Sequence, residues 1–390
     1  MKNEYDVVVA GAGPAGSWAA RHAALGGARV LLLEKDREIG LPVRCAEGAP
    51  VDQLHALVDV DPGWIAREIR RGIIVAPDGR EVEAWSGEKG YILHRKLFDA
   101  GLAQRASEAG AEVVTKAYVS GLIHNNGKAE GVRVRQLGED KEIRARVVIG
   151  ADGIESRVGR WAGLDTHTPV AEMESCVQMT LGNLDIDPET IKIWVGRSIA
   201  PGGYLWLFPK GPGWANVGLG IAGQYAAKKK AIDYLKAFVE RMFPGAAVLS
   251  IVAGGVPTGP QLRTIVADGL MLTGDAAHHT DPLSGGGITN AMLGGKLAGE
   301  TASDAIRHGD VSVRFLKRYQ NAWDRARKKD LQLAYKIKKI VYDFDEEDLN
   351  RIADVVLALP LEKRTNFAIF KAALKKHPAL VFQMAKVWVK

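Results

Sequence analysis

Three kinds of hydrophobic pattern alternate along the 390 residues, and each marks a different layer of structure. Apolar runs closed by glycine or, after Ala28 to Leu33, by Glu34, as in Val7-Val8-Val9-Ala10, Arg144 to Gly150 and Gly269 to Asp275, read as strands buried on both faces, the habit of a parallel sheet. Strand patterns carrying the aromatics Trp194, Tyr204, Trp206, Phe208 and Trp214 fill 164–259 and predict a mostly antiparallel sheet, interrupted by a helix near Ala226 to Met242. Helical spacing opens at Leu93-His94-Arg95 and runs to about Ala109. It returns near Ser156, from Gly285 through Ile306, and from Val311 onward, including Leu316 to Tyr342 and shorter helices beyond Glu346. Gly72 to Trp85 reads as a hairpin turning at Pro77-Asp78-Gly79, and the Gly- and Pro-rich segment 35–50 reads as a loop.

The chain thus leaves its parallel-type strands and comes back to them. The predicted class is α/β: a Rossmann-like nucleotide-binding domain from 1–70, 91–163 and 260–310, interleaved with a mostly antiparallel substrate domain from 71–90 and 164–259. A helical C-terminal region, 311–390, completes it.

The first strand runs into Gly11-Ala12-Gly13-Pro14-Ala15-Gly16, then a helix, then a second strand closing on Glu34. Strand, G-x-G-x-x-G, helix, strand and acid at this spacing form a βαβ unit suited to a dinucleotide. Gly11 permits the tight turn, Gly13 lets backbone approach a pyrophosphate, and Gly16 lets the helix pack on the strand. The helix N-terminus offers free N–H groups to phosphates, and Glu34 can accept hydrogen bonds from a ribose. Asp152 and Asp275 each sit beside glycine at a strand end, where α/β sheets bind ligands. A helix cap explains Asp152 equally well. Asp275 is followed by Asp281-Pro282 and by the helix opened at Gly285-Gly286-Gly287-Ile288, a second glycine-rich helix start far from the first.

Composition changes this picture little, since 47% hydrophobic and 25% charged residues are ordinary globular values. Three residues precede the first strand and no apolar run is long enough to span a bilayer, so the expectation is a cytoplasmic protein, with peripheral contact at a membrane as the open alternative. Cys45 and Cys176 cannot form a disulfide framework and lack metal-ligand spacing, so reduced thiols and no metal are expected. The net charge of +6 is concentrated: residues 310–390 hold 18 Lys and Arg against 10 Asp and Glu. That tail is either a solvated helix surface or a face for acidic headgroups or an anionic substrate, and no nucleic-acid motif accompanies it.

Together, the glycine loop with its distal acid, the strand-borne Asp152-Gly153, and Gly274-Asp275 with its Pro and glycine-opened helix resemble the para-hydroxybenzoate hydroxylase-like FAD flavoproteins over most of the chain. Two further segments resemble the geranylgeranyl reductase family, which saturates isoprenoid double bonds. One is Pro42-Val43-Arg44-Cys45-Ala46-Glu47-Gly48. The other is Pro201-Gly202-Gly203-Tyr204-Leu205-Trp206-Leu207-Phe208-Pro209, matching that family's P-x-x-Y-x-W-x-F-P. In a strand, Tyr204, Trp206 and Phe208 share one face, either ordinary core or an aromatic wall for a polyprenyl chain.

The resemblance implies FAD contacts from Ala15, Glu34, Lys35, Cys45, Ala46, Gly48, Arg95, Val119, Asp152, Asp275, Gly286, Gly287 and Ile288, beside Gly11, Gly13 and Gly16. It implies hydride delivery from reduced FAD to a geranylgeranyl double bond, in geranylgeranyl diphosphate or a chlorophyll-type substrate or in a digeranylgeranyl glycerophospholipid, the lipid being favoured by the substantial, basic C-terminal helices. Cys45 is a candidate proton donor or flavin modulator, although a free cysteine is commonly just a small buried hydrophobe. NAD(P)H or a ferredoxin-like protein would supply electrons. The alternatives are a flavin monooxygenase or halogenase on the same scaffold, or an electron-transfer flavoprotein serving a quinone. The Trp-x-Trp-like halogenase strand differs here at Tyr204 and lacks the Cys45 loop.

Overall fold

A computed structural model describes residues 1–83 and 89–364. The contacts divide the chain into two compact units, 1–43 with 95–169 and 256–334, and 44–94 with 170–255 and 335 onward.

The first unit is built on a sheet whose centre is parallel. Strand β1 (Glu4–Ala10) lies between β2 (Val30–Leu33) and β3 (Glu139–Gly150), with Val8 opposite both Leu31 and Val148. Glu112–Val114 extends the sheet beyond β2, and Leu270–Leu272 extends it in parallel beyond β3. All four residues of β2 are buried, which is why its apolar run is continuous rather than alternating. Strands Ala117–Asn125 and Lys128–Gln136 form an antiparallel ribbon with β3.

Helix α1 (Pro14–Leu25) starts as expected with Pro14 in the first turn. Helix α2 (Arg95–Glu108) matches its expected span, and α3 (Ile288–His308) begins three residues after Gly285. A Cβ on Gly295 would meet the Ala15 carbonyl oxygen at 2.2 Å, and one on Gly299 would meet that of Ala19 at 2.3 Å, so glycines let α3 lie directly on α1. Helix α4 (Val313–Trp323) buries Phe315, Leu316, Tyr319 and Trp323 in the same core.

The second unit contains a seven-stranded sheet. Strand β4 (Met173–Gly182), β5 (Tyr204–Gly211) and β6 (Trp214–Ala222) are consecutive neighbours in the order β4-β6-β5, all antiparallel. Thr190–Val195, Arg71–Val75 and Glu81–Glu83 continue it on one side, and Ala247–Pro257 forms the opposite edge. The hairpin at 77–79 is present, closed by the Gly79 N–H on the Ala76 carbonyl. Its expected end at Trp85, and the helices expected beyond 364, lie outside the described residues.

The contacts group two stretches of chain differently from the sequence-based boundaries. Residues 44–70 belong with the second unit rather than the nucleotide unit. The reason is local pairing: Gly48–Pro50, Gly90–Leu93 and Ile65–Ile69 form their own antiparallel sheet, and Gly48 abuts Phe208. The described part of the expected C-terminal region is not a separate body either. Residues 311–334 complete the core of the first unit, while Glu346–Leu357 packs Ala353 and Val356 on Ala76 and Val82 of the second. The expected helix Leu316 to Tyr342 is two α-helical stretches joined by a π-turn at Asp324–Lys328.

Candidate functional site

The glycine loop of the first unit is shaped by close approach. Gly11 has φ +103°, and a Cβ there would stand 2.3 Å from the Ala151 carbonyl oxygen; a Cβ on Gly16 would stand 1.8 Å from that of Gly11. Gly13 differs. Nothing lies within 4 Å of where its Cβ would be, at the start of α1, whose first turn has no side-chain cap. Open space in front of free N–H groups is what a pyrophosphate requires. Glu34 is drawn into the loop: its Oε2 accepts the Ala12 N–H at 2.9 Å and its Oε1 the Asp36 N–H at 3.0 Å. Lys35 turns outward to Asp36 at 3.1 Å, and Ala15 is buried against Gly274.

The two aspartate turns meet. Ser156, in the left-handed region beside Asp152, donates its hydroxyl to the Ala276 carbonyl one residue past Asp275. Asp152 Oδ2 accepts the Val158 N–H, in the first turn of the helix Arg157–Trp161, at 3.0 Å. Its Oδ1 is buried without a hydrogen-bond partner, and burial pushes the carboxyl above its ordinary pKa. Asp275 Oδ1 accepts from the Thr280 hydroxyl at 2.8 Å and lies 3.6 Å from the Cβ position of Gly287. Gly286, Gly287 and Ile288 therefore bring the uncapped N-terminus of α3 to Asp275. Arg95 is held by Asp99 through two 2.7 Å hydrogen bonds, and Val119 is half-buried on its strand. An uncapped glycine cradle and an orphaned buried carboxylate oxygen fit a group with a phosphate end and a polyol.

In the second unit, register resolves what the Tyr204 strand does. Leu205 and Leu207 face a core shared with Val217, Leu219, Val177 and Met179. Tyr204, Trp206 and Phe208 occupy the other face, and each stands in a cross-strand row. The rows are Tyr204–Gly220–Cys176, Trp206–Gly218–Gln178 and Phe208–Asn216–Thr180. A Cβ on Gly218 would be 2.5 Å from the Trp206 ring, so the indole lies flat across β6 in the space glycine leaves. Tyr204 meets Trp206 edge to face at 5.9 Å.

The Arg44–Gly48 loop is fastened to this aromatic floor. Gln178 Nε2 donates to the Cys45 carbonyl at 3.1 Å, and the Trp206 indole N–H donates to Gln178 Oε1 at 3.0 Å. Glu47, with φ +75°, sends Oε2 to Lys210 Nζ and to Asn216 Nδ2, each at 2.6 Å. The Glu47 N–H points at Cys45 Sγ at 3.2 Å, and Gly48 touches the Phe208 ring. Burial, with Glu174 beside it, pushes the Cys176 thiol up to about 12, leaving it an uncharged member of the floor. Gln178, Glu47, Lys210 and Asn216 were not singled out from the sequence. The one signal was a lysine inside an otherwise apolar strand end, Pro209-Lys210-Gly211.

A digeranylgeranylglycerophospholipid reductase of Methanosarcina acetivorans is 45% identical over 391 aligned residues, spanning 98% of this chain and 96% of the relative. The chain belongs to the digeranylgeranylglycerophospholipid reductase family. Residues 172–256 of this reductase-family chain match the geranylgeranyl reductase catalytic domain, and they contain β4, β5 and β6. Residues 6–51 and 67–213 match FAD binding domains, and the cofactor is FAD. A geranylgeranyl bacteriochlorophyll reductase-like protein of Thermoplasma acidophilum has a solved structure that superposes with a TM-score of 0.93 at 36% identity, over 98% of this chain and 99% of that one. A triple mutant of a flavin-dependent brominase shares the fold alone, at a TM-score of 0.72 and 19% identity over 95% and 99% of the two chains.

Proposed function

We propose that this chain is an FAD-dependent oxidoreductase that saturates the C=C bonds of geranylgeranyl chains, with digeranylgeranylglycerophospholipid as its substrate. The observation that carries the reading is the aromatic face of β5, turned away from the core and fastened to the Cys45 loop. Bound and reduced, FAD supplies a hydride for one carbon of the double bond.

The chain's own residues do the remaining work. The open space at Gly13 and the N–H groups of α1 hold the pyrophosphate, Glu34 a ribose, and Asp275 with the start of α3 the ribityl and ring oxygens. Tyr204, Trp206 and Phe208 supply an aromatic surface along which a prenyl chain lies extended, which orients the alkene and excludes water. An isolated alkene has no carbonyl to polarise, so positioning counts for more here than an oxyanion hole. Cys45 Sγ holds the proton for the second carbon, steered by the Glu47 N–H.

Electrons reach the flavin from NAD(P)H or a ferredoxin-like protein that visits transiently, and the lipid is met at a bilayer surface. Among the described residues no helix is long and apolar enough to cross a membrane, while Val248, Leu249 and Ile251 expose apolar surface on the edge strand.

Anaerobic incubation of the dithionite-reduced protein with a geranylgeranyl lipid, read by mass spectrometry, tests the proposal. Added hydrogen pairs are expected. An unchanged lipid mass overturns it, and halide-dependent consumption of oxygen would point instead to a halogenase.

A further inference from the structure

Gln178 sits in the middle of the aromatic floor, buried, and its amide is engaged at both ends. Its orientation is forced. An indole N–H only donates, so it must face Oε1; a backbone carbonyl only accepts, so it must face Nε2. A primary amide of this length supplies the one acceptor and one donor that this pair of partners requires. The row Trp206–Gly218–Gln178 places the amide directly across the glycine from the indole, so the ring and the loop share one rigid connector.

The loop has a second fastening at Glu47, two residues on. Between these two points lies Cys45 Sγ, which takes the Glu47 N–H. The Trp206 ring and the Cys45 backbone are thus tied through a single side chain. Removing its two hydrogen bonds leaves the Leu205 and Leu207 face unchanged, because Gln178 contributes nothing to that core.

We infer that Gln178 is a positioning residue: through its two hydrogen bonds it fixes Cys45 in register with the Trp206 ring, on which the proposed prenyl chain lies. This inference rests on the functional reading above for its catalytic consequence, and on geometry alone for the tie itself.

The test uses the FAD-loaded full chain and two variants. Gln178→Met keeps length and burial but can neither donate nor accept in this way. Gln178→Leu is likewise uncharged and apolar and removes both hydrogen bonds with a different side-chain shape. Cys45 is labelled with iodoacetamide and its peptide followed by mass spectrometry over time. Both variants are expected to label several-fold faster than the parent, with the ratio of flavin to protein absorbance unchanged. In steady state with the geranylgeranyl lipid, kcat is expected to fall on the order of tenfold while KM stays near the parent value, since a displaced group harms the reacting geometry more than binding.

Labelling at the parent rate in both variants overturns the inference. Loss of flavin or of the unfolding transition in both, with labelling unchanged relative to folded protein, assigns Gln178 a merely structural role and overturns it too. The labelling arm needs no lipid, so a parent protein that leaves the lipid unreduced would sink the proposed function while the tie between Gln178 and Cys45 is still decided.

Discussion

Lys210 Nζ stands 2.6 Å from Glu47 Oε2 with both side chains 6% exposed, and the same ammonium reaches the Leu93 carbonyl at 2.7 Å. A buried pair of this kind is costly to break from one side, because the remaining charge stays in low dielectric without a counter-charge. Glu47→Gln or Lys210→Met alone is expected to destabilise the protein by about 3–5 kcal/mol, and the double variant by clearly less than the sum. Denaturant unfolding of the four proteins measures this. Additive losses would mean that the two groups do not act as a pair.

Gly13 and Gly16 are expected to respond oppositely to the same methyl group. At Gly16 the new Cβ would press on the Gly11 carbonyl, a backbone atom that cannot step aside, so Gly16→Ala should fail to give soluble, folded protein. At Gly13 the methyl enters open space, so Gly13→Ala should keep the melting temperature of the flavin-free protein while weakening FAD about tenfold or more by occupying the phosphate's place. Flavin titration of the apoprotein is the measurement.

Gly218→Ala puts a Cβ 2.5 Å from the Trp206 indole and 2.8 Å from the Val177 carbonyl oxygen, so the ring must leave its slot and the neighbouring β4 backbone must give as well. The expected result is a KM for the geranylgeranyl lipid raised by about tenfold, with FAD content preserved, because ground-state contact area is what is lost. An unchanged KM would remove Trp206 from the lipid site.

His279 introduces a pH dependence. Its ring is stacked on Trp323 at 3.6 Å, is almost fully buried, and neither ring nitrogen has a hydrogen-bond partner. Burial, assisted by neighbouring His278, depresses its pKa to about 3. The folded state thus refuses a proton that the unfolded chain accepts near 6.5, so this contribution is intact above pH 6.5 and is lost progressively as pH falls toward 3. By pH 4 it should cost roughly 3 kcal/mol, and His279→Phe should flatten that part of the acid limb in denaturation midpoints taken at pH 7, 5.5 and 4.

Local chemistry was legible in the chain; pairing across distance was not. Gly11, Gly13, Gly16 and Glu34 form a motif because a βαβ turn is built from consecutive residues, and Asp152 and Asp275 announce themselves at strand ends. The aromatic face of β5 could be stated as a period-two set, but not which side was core. That depends on register with β6 and β4, and a one-residue slip would exchange the faces. Gln178 and Cys45 are 133 positions apart and Glu47 and Lys210 are 163 apart, so nothing local marks them as partners. The grouping of 44–70 with the second unit was not legible for the same reason: the short strand Gly48–Pro50 becomes one only by pairing with Gly90–Leu93.

The nucleotide-binding unit is assembled from three separated stretches, with α1 resting on a helix that begins at Ile288. On the ribosome, the glycine loop therefore emerges long before the turn at Asp275 and the helix that completes its pocket. Flavin capture belongs to the closing stage of synthesis, and nascent chains stopped short of residue 260 should emerge colourless.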